Sequence, residues 1–315
     1  MQFRSSNFPP VAFTAFLNGQ KVDVLAENPS EMSQLALAGY EDSNDAFRKQ
    51  AIDHKDHYEQ SRREILEGCK GLKGRVLILG FGCGLDIPFQ ELISQFDEVT
   101  VVDIDRNNMK QAVNALSSNQ KKKVRLVVAD LTGCINACFT RIFDKMDRLE
   151  FPEFAPEISR VLCAQEIKRL ELPKNHYNYV ISSMVIHNLH RSILACICQI
   201  MLRRYQRGDN IITKTSTINF LRFNNSIQHH HFEDMGEWVK PDGRIYVSYP
   251  KGEYLLEGEK QIEHPDPLLP DTLDIAKKHF KVKQTREWKW ERKLEHRTRT
   301  QLLVIQSFLC QKKPG

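Results

Sequence analysis

Apolar and polar residues change period along this chain in a way that separates strands from helices. Residues Arg75 to Leu79 (RVLIL) form a short apolar run, and EVTVVD (98–103) and KVRLVVADL (123–131) repeat it with β-branched residues, as buried strands do. After the first run, Leu85, Phe89, Leu92 and Ile93 recur at helical spacing, which predicts a strand, a tight turn and a helix start. Upstream, Phe47, Ala51, His54, Tyr58 and Ile65 keep helical spacing as far as Gly68, predicting a helix that leads into the first of these strands. VAFTAFL (11–17), Asn18-Gly19 and QKVDVLA (20–26) read as a β-hairpin with a type I′ turn, which cannot belong to a parallel sheet. At the other end, Pro270-Asp271 starts a short helix with Leu273, Ala276 and Phe280 inward. VKQTREWKWERKLE (282–295) and TRTQLLVIQSFLC (298–310) then alternate like two paired strands. Together these elements predict an open α/β sheet.

The connection after Leu79 carries the first chemical signal. Gly80, Gly82 and Gly84 stand at alternate positions, where glycine reaches φ > 0 freely and lets a ligand approach the backbone. A helix N-terminus beyond them would offer unpaired N–H groups to something polar or anionic. Asp103 follows Gly80 by 23 residues at the end of the second run, where a carboxylate can take both hydroxyls of a ribose. The pair reads as a nucleotide-type cofactor site, although a purely structural loop between strand and helix has the same appearance. A dinucleotide fingerprint needs G-x-G-x-x-G, and Leu85 occupies its last position, whereas G-x-G-x-G is complete.

This pattern resembles the class I S-adenosylmethionine (SAM)-dependent methyltransferases, in which such a turn lies under the methionine part of SAM and the acid ending the next strand binds the ribose. Further landmarks follow in the family's order. Asp130 matches its adenine-contacting acid, NHYNYVISSMVIHNLH (175–190) its fourth strand and following loop, and VKPDGRIYVSYPKG (239–252) its turn into strand five. The resemblance covers residues 45–310 and implies a Rossmann-like seven-stranded methyltransferase sheet with a C-terminal antiparallel hairpin. To this the chain adds an N-terminal extension (1–44) carrying the hairpin, ahead of a methyltransferase domain (45–315) with helical insertions at about 131–170 and 190–238. The implied cofactor is SAM, held by Tyr58, Gly80, Phe81, Gly82, Gly84, Asp103, Ile104, Asp130, Leu131 and Ser182, with His187 as candidate catalytic base. Tyr58 reads equally as an aromatic packed on the sheet, and His187 as a hydrogen-bonded structural residue. Three positions depart from the family: Ile78 replaces the acid two residues before the first glycine, Asn178 the acid before strand four, and Asn188 the second histidine of the loop.

Length and composition bound these readings without redirecting them. At 315 residues and 41% hydrophobic content, the chain suffices for one large α/β domain with additions, or two small ones. Lys and Arg exceed Asp and Glu by 45 to 40, and the charges are interspersed, which permits an acidic partner without demanding one. Arg286, Lys289, Arg292, Lys293, Arg297 and Arg299 with Trp288 and Trp290 resemble a nucleic-acid surface. Glu287, Glu291 and Glu295 break that patch and favour a solvated strand face. The eight cysteines, at 69, 83, 134, 138, 163, 196, 198 and 310, include no C-x-x-C pair and fit buried small side chains in a reducing compartment. No metal is expected. Cys134 and Cys138 lack a second pair at finger spacing, and consecutive His229, His230 and His231 read as a surface loop rather than three ligands of one ion. Val11–Leu17 lacks a following small-residue cleavage site, and the longest apolar run, within Ile193–Leu202, falls short of the roughly 20 residues of a membrane span. A soluble, cytoplasmic protein is expected.

Two connections exceed an ordinary βα unit. The first holds an amphipathic pattern over Cys134–Leu149 and a Pro-bounded loop, Phe151 to Pro156; the second holds an apolar helix, Ser192–Tyr205, and a segment rich in Asn, Phe and His (218–238). Long structured additions near the carboxyl ends of strands make lids and substrate pockets. Methyl transfer itself asks chiefly for in-line placement and exclusion of water, with a base only where the acceptor must lose a proton. Neither the N/D-P-P-Y/F signature of amino methylation on bases nor a cytosine-type nucleophilic Cys motif is present, which favours a small-molecule acceptor over nucleic acid. Three alternatives remain: a non-catalytic SAM-fold binding or scaffolding module, a methyltransferase acting on protein or RNA, and an aminopropyltransferase, whose paired-aspartate motif is absent here. Oligomeric state is not encoded in any pattern of this sequence.

Overall fold

The computed structural model describes residues 11–17, 20–26, 48–49, 51–146, 154–164, 167–186, 214–257, 260–263, 272–293 and 300–313. Strands β1 (Val11–Leu17) and β2 (Gln20–Ala26) pair antiparallel, Leu17 opposite Gln20, in a sheet of their own, as the Asn-Gly signal predicts. His187 and Asn188, together with the expected apolar helix 192–205, lie outside the described residues.

The main sheet is built from β3 (Arg75–Leu79), β4 (Glu98–Asp103), β5 (Val124–Val128), β6 (Tyr177–Ser183), β7 (Val239–Glu257), β8 (Lys260–Glu263), β9 (Phe280–Lys293) and β10 (Thr300–Lys312). Its order is β5-β4-β3-β6-β7-β10-β9. The first five strands of that path run parallel, and β10 pairs antiparallel with both β7 and β9. This is a seven-strand α/β path closed by an antiparallel hairpin, as expected, with β8 added antiparallel to the far end of β7 as an eighth strand. The strand after residue 239 is longer than the expected 239–252, because EYLLE continues the alternation that KQIE answers across Gly258-Glu259.

Alternate residues of the central strands serve opposite faces. Val76 and Ile78 join one core with Tyr179 and Ile181, while Leu77 and Leu79 join the other with Val180 and Val247. The first face is covered by α1 (Lys55–Gly68), α2 (Phe89–Gln95) and α3 (Arg106–Asn114), through Ile65, Leu92, Ile93 and Met109. A single turn, α4 (Ser118–Lys121), follows with a capping box between Ser117 and Gln120. Two further helices, α5 (Ile135–Met146) and α6 (Phe154–Cys163), lie in the first expected insertion. The second face is covered by α7 (Lys214–Trp238) and α8 (Thr272–His279), and α6 packs on α7.

Helix α7 corrects two expectations. The described part of the second expected insertion is not an addition at the carboxyl edge. Its C-terminal half is a crossover helix that buries Phe232, Met235 and Trp238 on the sheet. His229, His230 and His231, expected in a surface loop, are consecutive helical residues, and His231 is buried, sharing a 3.0 Å hydrogen bond with Ser182 Oγ. Polar residues inside the helix–sheet interface hid the period: Asn224 and Gln228 are fully buried, and Gln228 accepts from Thr272 Oγ1 at 3.1 Å.

The start of α1 is fixed to the antiparallel hairpin by a seam of rings. His57 stacks on Trp290 with centroids 4.0 Å apart and planes 4° off parallel. Trp288 Nε1 donates to His57 Nδ1 (3.1 Å) and Trp290 Nε1 to His54 Nδ1 (3.2 Å). Both tryptophans are thereby engaged within the protein. Accepting at Nδ1 and losing water both disfavour the imidazolium, and burial, with a smaller push from His54, lowers the His57 pKa from 6.5 to about 3. Burial likewise lowers His231 to about 4.

A histidine whose folded pKa lies below its unfolded value stabilises the fold above the unfolded pKa and loses that contribution as pH falls. For His57 and His231 the window runs from 6.5 down to about 3 and about 4, at about 1.4 kcal/mol per pH unit for each. Burial raises the pKa of Asp86 and Asp103, which gain stability on acidification and oppose the loss. Replacing His57 by Gln, which keeps an acceptor for Trp288, should flatten the fall of unfolding free energy between pH 7 and pH 5. Parallel pH profiles for the two proteins in denaturant titrations would contradict this assignment.

Candidate functional site at the glycine turn

The turn after β3 lies where the sheet order reverses, between the carboxyl ends of β3 and β6, the position at which open α/β sheets leave a crevice. Gly80, Gly82 and Gly84 have φ of 68°, 52° and 70°, the left-handed region that side chains disfavour. Two of them answer the protein's own packing as well: a Cβ on Gly80 would collide with Val185, and one on Gly84 with the ring of Phe81. Gly80 N–H donates to the Val102 carbonyl (2.8 Å), tying the turn to β4. The expected helix start directly after Gly84 is displaced. Pro88 disfavours helical backbone at Ile87 and caps α2, which begins only at Phe89.

Asp103 closes the turn from the neighbouring strand. Gly82 N–H donates to its Oδ2 and Asp105 N–H to its Oδ1, both at 2.7 Å. A carboxylate accepts about four hydrogen bonds, so Asp103 keeps acceptor capacity beyond its backbone donors, which a ribose hydroxyl can use. Burial raises the Asp103 pKa, while the backbone donors, Ile104 N–H among them, act to lower it. The side chain of Ile104 is half-buried beside it. Asp105 is itself occupied, capping α3 through Asn108 N–H at 2.9 Å.

The other sequence-predicted residues have more structural occupations. Asp130 accepts at Oδ1 from Thr132 N–H (2.8 Å) and Thr132 Oγ1 (2.7 Å), and at Oδ2 from Ile135 N–H (3.0 Å). It thus caps α5, with one acceptor direction left for an adenine amino group. Leu131 is half-buried against the second-face core. Phe81 is core, its ring edge-on to Phe89 at 5.1 Å and packed against Gly84. Tyr58 is buried against the ring of His57, centroids 5.4 Å apart, which matches the packing alternative.

Ser182 and Ser183 serve opposite faces of β6. The Ser182 side chain is fully buried on the α7 side, bonded to His231, because the pleat sends residue 182 away from the turn. Ser183 points the other way. Its Oγ donates to Asp86 Oδ2 at 2.6 Å and lies 3.0 Å from Ser248 Oγ and 3.4 Å from Ser61 Oγ on α1. Asp86 stands two residues past Gly84, and this hydroxyl chain links it to β6, β7 and α1. Met184, next along, has φ 56° and packs beside Trp290. The sequence carried one signal for this group, an acid at the far end of a glycine turn. Ile78, where the resembling family has its acid, is fully buried in the first-face core. Among the described residues, no group of three or more His, Cys, Asp or Glu could hold a metal ion, and no helix is long and apolar enough to cross a membrane.

No known protein family profile matches the chain, and no curated protein sequence does. Solved structures do. A TehB-like SAM-dependent methyltransferase from Corynebacterium glutamicum is 11% identical, with 91% of this chain and all (100%) of that one covered and a TM-score of 0.40. A putative type 11 methyltransferase from Sulfolobus solfataricus is 12% identical over 80% and 92% of the two chains, with a TM-score of 0.39. The [4+2]-cyclase SpnF is 9% identical over 82% of each, with a TM-score of 0.41. Identity and score are low throughout, and the fold assignment stands on the strand order itself. Several of the structures similar to this chain are methyltransferases by name.

Proposed function

We propose that the chain is a cytoplasmic SAM-dependent methyltransferase acting on a small molecule, with residues 45–315 as its catalytic domain and 1–44 as an extension. The observation that carries this reading is the clasp between Gly82 N–H and Asp103 at the point where the sheet order reverses. It sets a carboxylate with spare acceptor capacity beside a turn of left-handed backbone, a fit to a ribose hydroxyl. SAM supplies an electrophilic methyl on its sulfonium. The protein's part is to bind and orient: Asp103 on the ribose hydroxyls, the Gly80–Gly84 backbone under the methionine part, Ile104 and Leu131 beside the nucleoside, and Asp130 through its remaining lone pair toward the adenine amino group.

The small-molecule acceptor rests on the residues after β6, where Ser183-Met184-Val185-Ile186 stands in place of a base-modification signature, and on Trp288 and Trp290 being used internally. A cytoplasmic setting agrees with the free, buried Cys69, Cys134, Cys138 and Cys310. His187 is proposed as a base for acceptors that must lose a proton. The apolar Ile78 favours one competing reading, a SAM-binding protein without turnover.

Calorimetric titration with SAM tests the binding half. Asp103→Ala should weaken binding by about 2–4 kcal/mol through loss of charge-assisted hydrogen bonds, and an unchanged affinity would sink the assignment. Production of S-adenosylhomocysteine with a panel of small-molecule acceptors tests the chemistry. There His187→Ala should lower turnover by roughly 10²–10⁴-fold with SAM affinity intact. SAM binding without turnover on any acceptor would favour the competing reading, and methylation confined to RNA or protein would overturn the substrate class.

A further inference from the structure

Two oppositely charged side chains lie within electrostatic reach of each other near the glycine turn without pairing. Asp86 is held at the carboxyl end of β6 by the 2.6 Å hydrogen bond from Ser183, and among the described residues no cation lies within ion-pair distance of it. Arg62 sits on α1 directly after Ser61, the α1 member of the same hydroxyl chain. Its Nε is buried and has no hydrogen-bond partner among the described residues, an expensive state for a guanidinium N–H. The other charged residues of α1 nearby are occupied: Glu64 pairs with Arg286 at 2.9 Å, and Arg63 bonds Gln60.

A separated carboxylate and guanidinium on facing elements complement a free amino acid, whose ammonium and carboxylate are separated in the same sense. We propose that Asp86 and Arg62 form a clamp for the zwitterionic end of the bound cofactor, Asp86 taking its α-ammonium and Arg62 its α-carboxylate. This rests on the SAM reading above and deepens it. The chain needs such a clamp from its own residues, because Ile78 is fully buried among apolar side chains and offers no charge to the ammonium. Each half of the clamp repairs a deficit of the free protein. Burial raises the Asp86 pKa, and the Ser183 hydrogen bond and, less, the field of Arg62 draw it back only in part, so an ammonium at hydrogen-bond distance favours the anion. A carboxylate would likewise satisfy the Arg62 Nε.

The test uses the full chain and three probes in calorimetry: S-adenosylhomocysteine, its analogue lacking the α-amino group, and its analogue lacking the carboxylate. Asp86→Asn keeps an acceptor for Ser183 and should weaken S-adenosylhomocysteine by roughly 10- to 100-fold while changing the deaminated analogue by less than about threefold. Arg62→Gln should weaken S-adenosylhomocysteine and spare the decarboxylated analogue, and it carries the test alone if Asp86→Asn unfolds. Variants that bind S-adenosylhomocysteine as the wild type does, or that lose all three probes equally, overturn the clamp. If Asp103→Ala still weakens binding in that case, the SAM reading survives without it. If the wild type binds none of the probes, both fall.

Discussion

The bond from Gly82 N–H to the Asp103 carboxylate is the contact on which the candidate site depends. It joins the turn that ends β3 to the last residue of β4, and it forms only if two conditions hold together. The turn must adopt left-handed backbone, which the glycines permit, and β4 must pair in the register that sets Leu79 beside Val102 and ends at Asp103. A register slip by one residue would turn Asp103 to the opposite side of the sheet. The cores on both faces oppose such a slip, because Val99 and Val101 are committed to one and Val102 to the other. Burial of apolar strand residues is thus what aims the carboxylate.

The same sheet explains why polar side chains are tolerated deep in the protein. Ser182 and Ser183 are adjacent, yet the pleat hands one to His231 on α7 and the other to Asp86 beside the turn. Both serine hydroxyls have partners, so their desolvation cost is offset on both faces. The ring seam of His54, His57, Trp288 and Trp290 does similar service at the edge, fixing α1 to β9 and so setting where Ser61 and Arg62 stand.

Much of the fold was legible in the chain. Strands β3 to β5 announced themselves as compact apolar runs, and the three alternating glycines marked the turn, because few other residues accept its backbone. What escaped followed from physical effects that a one-dimensional pattern averages away. Asn224 and Gln228 are buried with a hydrogen bond between them and His231 with one to Ser182, and these polar residues blurred the period of α7 into an apparent loop. Which of the adjacent Ser182 and Ser183 turns toward Asp86 depends on the pleat of β6, which the residue types alone do not reveal. Asp130 follows β5 as expected, but its oxygens go largely to the turn at Thr132 and the start of α5, a local demand that the strand pattern does not reveal. The short β8 lay in a charged stretch with little apolar contrast.

A crystal structure of the protein with S-adenosylhomocysteine would test the central claim most directly. The account predicts the ribose hydroxyls within hydrogen-bond distance of both Asp103 oxygens, over the Gly80–Gly84 turn, with the Gly82 N–H bond retained. Ligand density elsewhere, or a ribose held without Asp103, would contradict it.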